Sequence, residues 1–265
     1  MSSQRQQATI AVFNQKGGVG KTTTCLNLTA ALHRGRRRPV AIDLDPQGHL
    51  GLSCGVKTLP GSGIAQFFEQ KTPLSHLTQK TPLGWDVIGT SFDLAKVEAR
   101  VGRDPLASTT LLSGIENDKG LPDGPLLIDC SPTLGGLTLN AMVASDRVLI
   151  PVVADFLSMQ GVHRVYTILG ILERNLNRRI DRRIVLTRFD PRKKLSFDIL
   201  EQLQRKYGGQ VCQTRIEDDE SVARSPMYAM DVFSHDMQSK GAKEYRDLAV
   251  ELARGGFFDR LRRGG

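Results

Sequence analysis

The sequence has few aromatic residues, no closely paired cysteines and no long apolar runs. Aromatics are 6% of the 265 residues, and the single tryptophan, Trp85, stands at the start of a predicted strand. A core position is expected there rather than a stacking surface. The four cysteines, Cys25, Cys54, Cys130 and Cys212, include no Cys-x-x-Cys pair. Scattered in this way, they read as buried reduced thiols. No apolar run is long enough to cross a bilayer, and the polar start at 1–7 has no apolar signal core. A cytoplasmic location is therefore expected. No repeat, helix-turn-helix, zinc pattern or RNA-binding signature is apparent. Acid is in short supply as well, with 28 Asp and Glu against 36 Lys and Arg, a formal charge of +8. That excess suits a polyanionic partner, either nucleic acid or an anionic membrane.

One stretch organises what is present: Asn-Gln-Lys-Gly-Gly-Val-Gly-Lys-Thr-Thr-Thr over residues 14–24. An apolar run at 8–13 enters it as a strand would, and residues 25–33 leave it with the spacing of a helix. Gly17, Gly18 and Gly20 remove side chains that would keep a phosphate from the backbone. Successive N–H groups around Val19 and the start of the helix can then cradle an anion. Lys21 supplies a point charge to the outer phosphates, and the Thr22 hydroxyl, followed by Thr23, is placed to ligate Mg²⁺. The predicted nucleotide-binding set is thus Gly17, Gly18, Val19, Gly20, Lys21, Thr22 and Thr23.

Further along, the predicted strand at 40–44 delivers Asp43 and Asp45 in Asp-Leu-Asp-Pro-Gln-Gly. Alternation puts both carboxylates on one face at the C-terminal end of the strand, where open α/β sheets bind ligands. A second apolar run, at 125–130, ends in Asp129 and looks like a Walker B strand. Its buried carboxylate can hold magnesium opposite Thr22, because the ion neutralises the desolvated charge. Thr22, Asp43 and Asp129 are therefore the candidate metal residues. Short apolar runs alternating with longer helical patterns predict one α/β domain over 1–265, a mostly parallel sheet with helices on both faces.

The phosphate loop has Gln15 where a standard loop has its first glycine. In this it resembles the deviant Walker A motif, Lys-Gly-Gly-x-Gly-Lys-Thr, of the P-loop ATPases that include ParA, Soj, MinD and nitrogenase iron protein. The Asp-Leu-Asp-Pro-Gln-Gly segment resembles the partition-protein form of the second motif. The resemblance implies ATP and Mg²⁺ as ligands and a homodimer closing around ATP. Lys16 would reach the partner's nucleotide, Asp45 would orient the attacking water, and Lys21 would hold the phosphates. It also implies nonspecific DNA binding in the ATP state, nucleoid association, and a cargo-bound, ParB-like adaptor that stimulates hydrolysis. With a first strand at about residue 8, the likeness is to the short, chromosomal-type form. The family commonly follows its last strand with Ile-Pro-Arg, whereas this chain reads Ile216, Glu217, Asp218, Asp219, Glu220. That departure removes a proline expected to line the adenine, and a basic residue.

Candidate DNA contacts come from the most basic stretch: Arg178, Arg179, Arg182, Arg183, Arg188, Arg192, Lys193 and Lys194, with Arg174 just before it. Lys240 and Lys243 on the last helix extend the set. Contacts of this kind go to phosphates and are largely independent of sequence. The end of the chain, 255–265, carries Phe257, Phe258 and Leu261 among arginines and reads as a flexible basic tail. Such a tail could lie on an anionic membrane, and a MinD-like membrane-cycling ATPase is the alternative reading.

Overall fold

The computed structural model describes residues 7–102 and 105–261. Its seven strands are β1 (Thr9–Val12), β2 (Val40–Leu44), β3 (Gln79–Lys80), β4 (Asp86–Ile88), β5 (Leu126–Cys130), β6 (Arg147–Val153) and β7 (Asp181–Thr187). They form one sheet in the order β3-β4-β2-β5-β1-β6-β7, in which every pairing is parallel except the short β3 against β4. Alternation along the strands feeds two cores. Ala11, Phe13, Ile42 and Ile128 face one layer, while Ile10, Val12, Ala41 and Leu127 face the other. The second layer is covered by the helix Lys21–Arg34 and the last helix, Lys240–Arg254. A sheet covered on both faces can be apolar along whole strands, which is why the strands read as continuous runs.

Pro151 lies inside β6, an interior strand, where proline would ordinarily leave a gap in the hydrogen-bond ladder. The neighbouring β1 stops first. Its last ladder bond runs from Phe13 N–H to the Leu149 carbonyl, and two residues further on the Asn14 side chain donates to the Pro151 carbonyl at 2.8 Å. The missing N–H therefore faces a place where no strand remains.

Several expected boundaries move. The helix anticipated at 105–115 begins as a 3-10 turn over Pro105–Thr109 and becomes α-helical over Thr110–Asn117. The last parallel strand starts at Asp181, three residues before the expected Ile184, because ion pairs accommodate Arg182 and Arg183 within it. The strand expected at 210–214 is reduced to an isolated bridge between Val211 and Ile184 of β7, and a second bridge pairs Glu217 with Phe189 just past the strand's end.

The tail expected to be free is packed through Asp259. Phe257 and Phe258 are completely buried, and the Phe258 carbonyl accepts from Ala8 N–H at 2.9 Å. Guanidinium groups of Arg147 and Arg183 lie over the Phe257 ring, and that of Arg37 lies over Phe258. Burying two aromatic rings outweighs the freedom of a few terminal residues. The phenylalanines that suggested a membrane contact are therefore core residues. Arg262 and Arg263 of the expected tail lie outside the described residues. Among the described residues no helix is long and apolar enough to cross a membrane.

Candidate active site

β1 ends where the glycine loop begins, and the loop is built by side chains around it. Asn14 holds both sides of the entry: its Oδ1 accepts from Lys16 N–H at 3.1 Å while its amide donates to Pro151. Gly18 and Gly20 adopt φ of 72° and 82°, a left-handed conformation that the loop needs and a side chain would strain. Val19 is buried and its carbonyl accepts from the Thr187 hydroxyl at 2.9 Å, so the loop is pinned to the end of β7. No side chain caps the helix that starts at Lys21. Its first N–H groups are left for a ligand.

A cleft of 550 Å³ opens beside the loop, lined by Gly17, Gly18, Gly20, Lys21, Thr22 and Thr23 on one side and by Asp45, Gln47, His49 and Pro132 on another. That volume suits a nucleotide. The Val19 side chain faces the core, so Val19 offers only its backbone. Lys21 is buried, donates to the Lys16 carbonyl at 3.0 Å, and has its pKa lowered by desolvation, against the pull of nearby Asp129.

Asp43 and Asp129 stand side by side in register on β2 and β5, both fully buried. Their surroundings differ. Asp43 Oδ1 accepts from Asp45 N–H, and its Oδ2 accepts from Leu50 and Gly51 N–H, at 3.1 to 3.3 Å. It shapes the turn that carries Asp45, and both its oxygens accept backbone N–H groups, unlike those of Asp129. Neither oxygen of Asp129 has a hydrogen-bond partner. Desolvation pushes its pKa up to about 7, opposed by the Thr22 hydroxyl and by Lys21. A buried carboxylate that no backbone N–H reaches, beside the Thr22 hydroxyl and close to the phosphate loop, fits a hard cation. Desolvation, followed by the neighbouring Asp129, also raises Asp43 well above the ordinary value.

Lys16 lies at the rim and forms an ion pair with Asp155, whose other oxygen accepts from Leu157 N–H and the Ser158 hydroxyl at the start of the helix Ser158–Leu176. Partial desolvation tends to raise the Asp155 pKa, but the bonds from Lys16 and Ser158 win and hold it low. Phe156 and Leu157, next to this pair, are exposed large apolar side chains.

The far wall of the cleft is the acidic segment. Ile216, Glu217, Asp218 and Asp219 line it together with Val222, Ala223 and Pro226. A proline is thus present in the wall, supplied by Pro226 rather than by the position after Ile216. Asp219 caps the helix Glu220–Arg224, and Glu217 pairs with Lys240 at 2.6 Å. Arg188, expected among DNA contacts, lines the same cleft with φ 49° and lies 3.6 Å from Asp218.

The other basic candidates do not form one surface, because β7 divides them. Arg178, Arg179, Arg182 and Arg183 lie at its N-terminal end, and Arg188, Arg192, Lys193 and Lys194 at its C-terminal end, about 20 Å away for a strand of this length. Several are structural. Arg178 donates to the Val143 and Ser145 carbonyls at the end of the helix Gly136–Ala144. Arg182 pairs with Glu173 at 2.5 Å, and Arg183 with Asp181 at 3.2 Å. Arg192 makes two bonds to Asp190, which it holds well below the usual carboxylate range, and Lys193 joins them. Asn14, Thr187 and Asp155 are site residues that the pattern did not single out. Asn14 stands inside the motif, whereas the bonds that give Thr187 and Asp155 their roles come from distant segments.

Comparison with known proteins agrees with this geometry. A family model described as an AAA domain matches residues 7–182. The chain is 33% identical over 249 residues to the chromosome partitioning protein ParA of Caulobacter vibrioides, covering 92% of each chain. It is 34% identical over 253 residues to the chromosome-partitioning ATPase Soj of Thermus thermophilus, covering 92% of this chain and 94% of that one. Among solved structures, a Mycobacterium smegmatis protein described as cobyrinic acid a,c-diamide synthase, with bound ATP analogue and magnesium, superposes with a TM-score of 0.80. The two are 29% identical, over 94% of this chain and 96% of that one. An anion cradle at the end of β1, a buried carboxylate at the end of the neighbouring β5 and likeness over nine-tenths of the chain converge: this protein is an ATPase and belongs to the ParA/Soj family of P-loop ATPases.

Proposed function

We propose that the protein is an ATP-controlled positioning ATPase. In this reading it dimerises around ATP, binds DNA without sequence preference in that state, and releases it on hydrolysis. The observation that carries the nucleotide half is Asp129, buried with neither oxygen in a hydrogen bond, near Thr22 and Lys21 of the phosphate loop. Thr22 and Asp129 are the residues that would hold Mg²⁺, which when bound would neutralise phosphate charge. Lys21 and the loop N–H groups bind and orient the phosphates. Asp45, held in place by the turn that Asp43 shapes, positions the attacking water. Catalysis here is positioning and electrostatics.

Lys16 and the exposed Phe156 and Leu157 support pairing of two protomers at this edge, since a cation and two apolar side chains stand together at the mouth of the cleft. On dimerisation Lys16 exchanges Asp155 for the partner's phosphates. The net positive charge supports DNA as the polyanion, and a cytoplasmic, nucleoid-associated protein stimulated by a cargo-bound adaptor follows from the family. Linkage then makes the switch: if ATP favours the dimer and the dimer doubles the phosphate contacts, ATP must raise DNA affinity.

The test is fluorescence anisotropy with a DNA duplex of random sequence, in the absence of nucleotide and with ADP, ATP, or ATP plus the Asp45→Ala variant, over a range of salt. Tight, salt-sensitive binding with ATP, retained longest by Asp45→Ala, is expected. Equal affinity in every nucleotide state would sink the proposal.

A further inference from the structure

The cleft that begins at the glycine loop runs on to the wall formed by 216–226, so a nucleotide with its phosphates on the loop extends its base that way. The lining there is partly apolar, with Ile216 and Val222 buried and Pro226 beside them, which suits one side of a flat ring. Two charged side chains face the same space: Arg188, just past the end of β7, and Asp218. We infer that Arg188 and Asp218 read the base, the guanidinium lying on the ring and the carboxylate accepting from the exocyclic amino group of adenine. The inference rests on nucleotide binding in this cleft and is independent of the DNA switch proposed above.

The backbone of the wall is already committed. Ile216 N–H donates to the Leu186 carbonyl at 2.9 Å, Glu217 N–H to the Glu244 carboxylate at 2.8 Å, and Asp218 N–H to the Phe189 carbonyl at 3.3 Å. With those donors spent, 216–218 offer a base acceptors, which attract an amino group and repel a carbonyl oxygen. Two of the acids are engaged as well. Glu217 pairs with Lys240 at 2.6 Å, and Asp219 gives its two oxygens to the N–H groups of Val222 and Gly241. Asp218 differs. Among the described residues its carboxylate accepts no hydrogen bond, and its ion-pair contact is Arg188 Nε at 3.6 Å, with both side chains more than half exposed.

Arg188 supplies the second observation. It is not a glycine, yet it sits at φ 49°, a left-handed backbone that persists only where neighbours enforce it. The residues on either side do so. The Thr187 hydroxyl bonds to the Val19 carbonyl, and Phe189 N–H donates to the Ile216 carbonyl at 3.0 Å. An exposed pair 3.6 Å apart contributes little to stability, so the ion pair by itself does not account for this backbone. A planar cation and an apolar surface lining the same end of the cleft suit the two faces of a purine, since arginine stacks on aromatic rings.

The experiment measures, by isothermal titration calorimetry with Mg²⁺, the affinity of the full chain for ADP and for IDP, whose base carries an oxygen in place of the amino group. Neither diphosphate is consumed by an ATPase, so binding is read alone. Wild type, Asp218→Ala, Asp218→Asn and Arg188→Ala are compared, with melting curves to show that each is folded; alanine at 188 adds no backbone strain that arginine does not already carry. Wild type should prefer ADP by roughly 10- to 100-fold, the range of a hydrogen bond to a charged group. Asp218→Ala should bring the ratio close to one by weakening ADP, and Asp218→Asn, whose amide can donate to the oxygen, by improving IDP. Arg188→Ala should weaken both nucleotides alike, by roughly 2- to 30-fold, with the ratio kept. A merely structural Asp218 would shift both affinities together. A wild type without preference, or an Asp218 variant with the wild-type ratio, would overturn the role of the carboxylate, and undiminished binding by Arg188→Ala that of the guanidinium. Wild type that bound neither diphosphate would remove the cleft as a nucleotide site, and this pair with it.

Discussion

The two edges of the sheet treat charge in opposite ways. At the C-terminal edge, Asp129 is fully buried with no donor on either oxygen, and Lys21 is buried against a backbone carbonyl. At the N-terminal edge, Arg147 is nearly as buried, but both its terminal nitrogens are met, by Asp181 and by the Asp259 carbonyl, and the Phe257 ring lies against it, which leaves Nε as its one unpartnered atom. The first arrangement is costly in the absence of a ligand and becomes favourable when a cation and phosphates arrive. The second has its charge paired by Asp181 and fastens the end of the chain to the sheet. Unsatisfied buried charge marks chemistry, and satisfied buried charge marks architecture.

Changes at the two edges should therefore fail in different assays. The largest effect expected is on catalysis: Lys16→Ala should reduce ATP hydrolysis by more than about a hundredfold while leaving thermal stability unchanged. Phosphate release and a melting curve on the same sample test this, and near-wild-type turnover would remove Lys16 from the mechanism. At the other edge, Phe257→Ala should destabilise the fold by about 3–5 kcal/mol, measured by urea unfolding. A free tail would show no change.

A third expectation concerns pH in protein stripped of metal. Asp129 titrates at about 7 in the fold against an ordinary value of 3.8, so between those values the native state keeps a proton that the unfolded chain has lost. Stability should therefore fall as pH rises through that window, and Asp43, raised in the same direction, adds to the fall. Magnesium with nucleotide, or Asp129→Asn, should reduce the slope of melting temperature against pH. A rise in stability over the same window would contradict the burial argument. Thr187→Val should cost roughly 1 kcal/mol through the lost bond to the Val19 carbonyl, and weaken nucleotide binding slightly. Arg192→Ala is expected to leave the melting temperature unmoved, since its ion pair is open to solvent.

Much of the site was legible because its chemistry is local. A phosphate cradle needs glycines, a lysine and a threonine within a few residues, and Gly18, Gly20, Lys21 and Thr22 stand where the motif puts them. Asp129 was legible because a strand ending in a carboxylate has few structural uses. Alternation put Asp43 on the face of the metal candidates but could not give its partners, and here three backbone N–H groups reach it. The arginines of 174–194 read as one patch because sequence distance hides the length of a strand. Seven extended residues carry the chain from one edge of the sheet to the other, so a continuous basic run becomes two unlike groups. The roles of Thr187 and Asp155 were not legible, because each acts through a residue far away in the chain.

The sequence by itself determined the order of the strands and helices, the glycine loop after β1 and the carboxylates at the ends of β2 and β5. These depend on hydrophobic period, glycine spacing and which side of a strand a residue takes, all of which are short-range. Only the tertiary structure decided which charges are satisfied. Whether Asp129 is bare and Asp43 bonded, whether Phe257 is buried, and whether an arginine holds a carbonyl or faces solvent all depend on what distant segments bring within about 3 Å. Desolvation then gives those contacts their weight, since the same carboxylate or guanidinium that costs nothing in water must find a partner, or await a ligand, once buried.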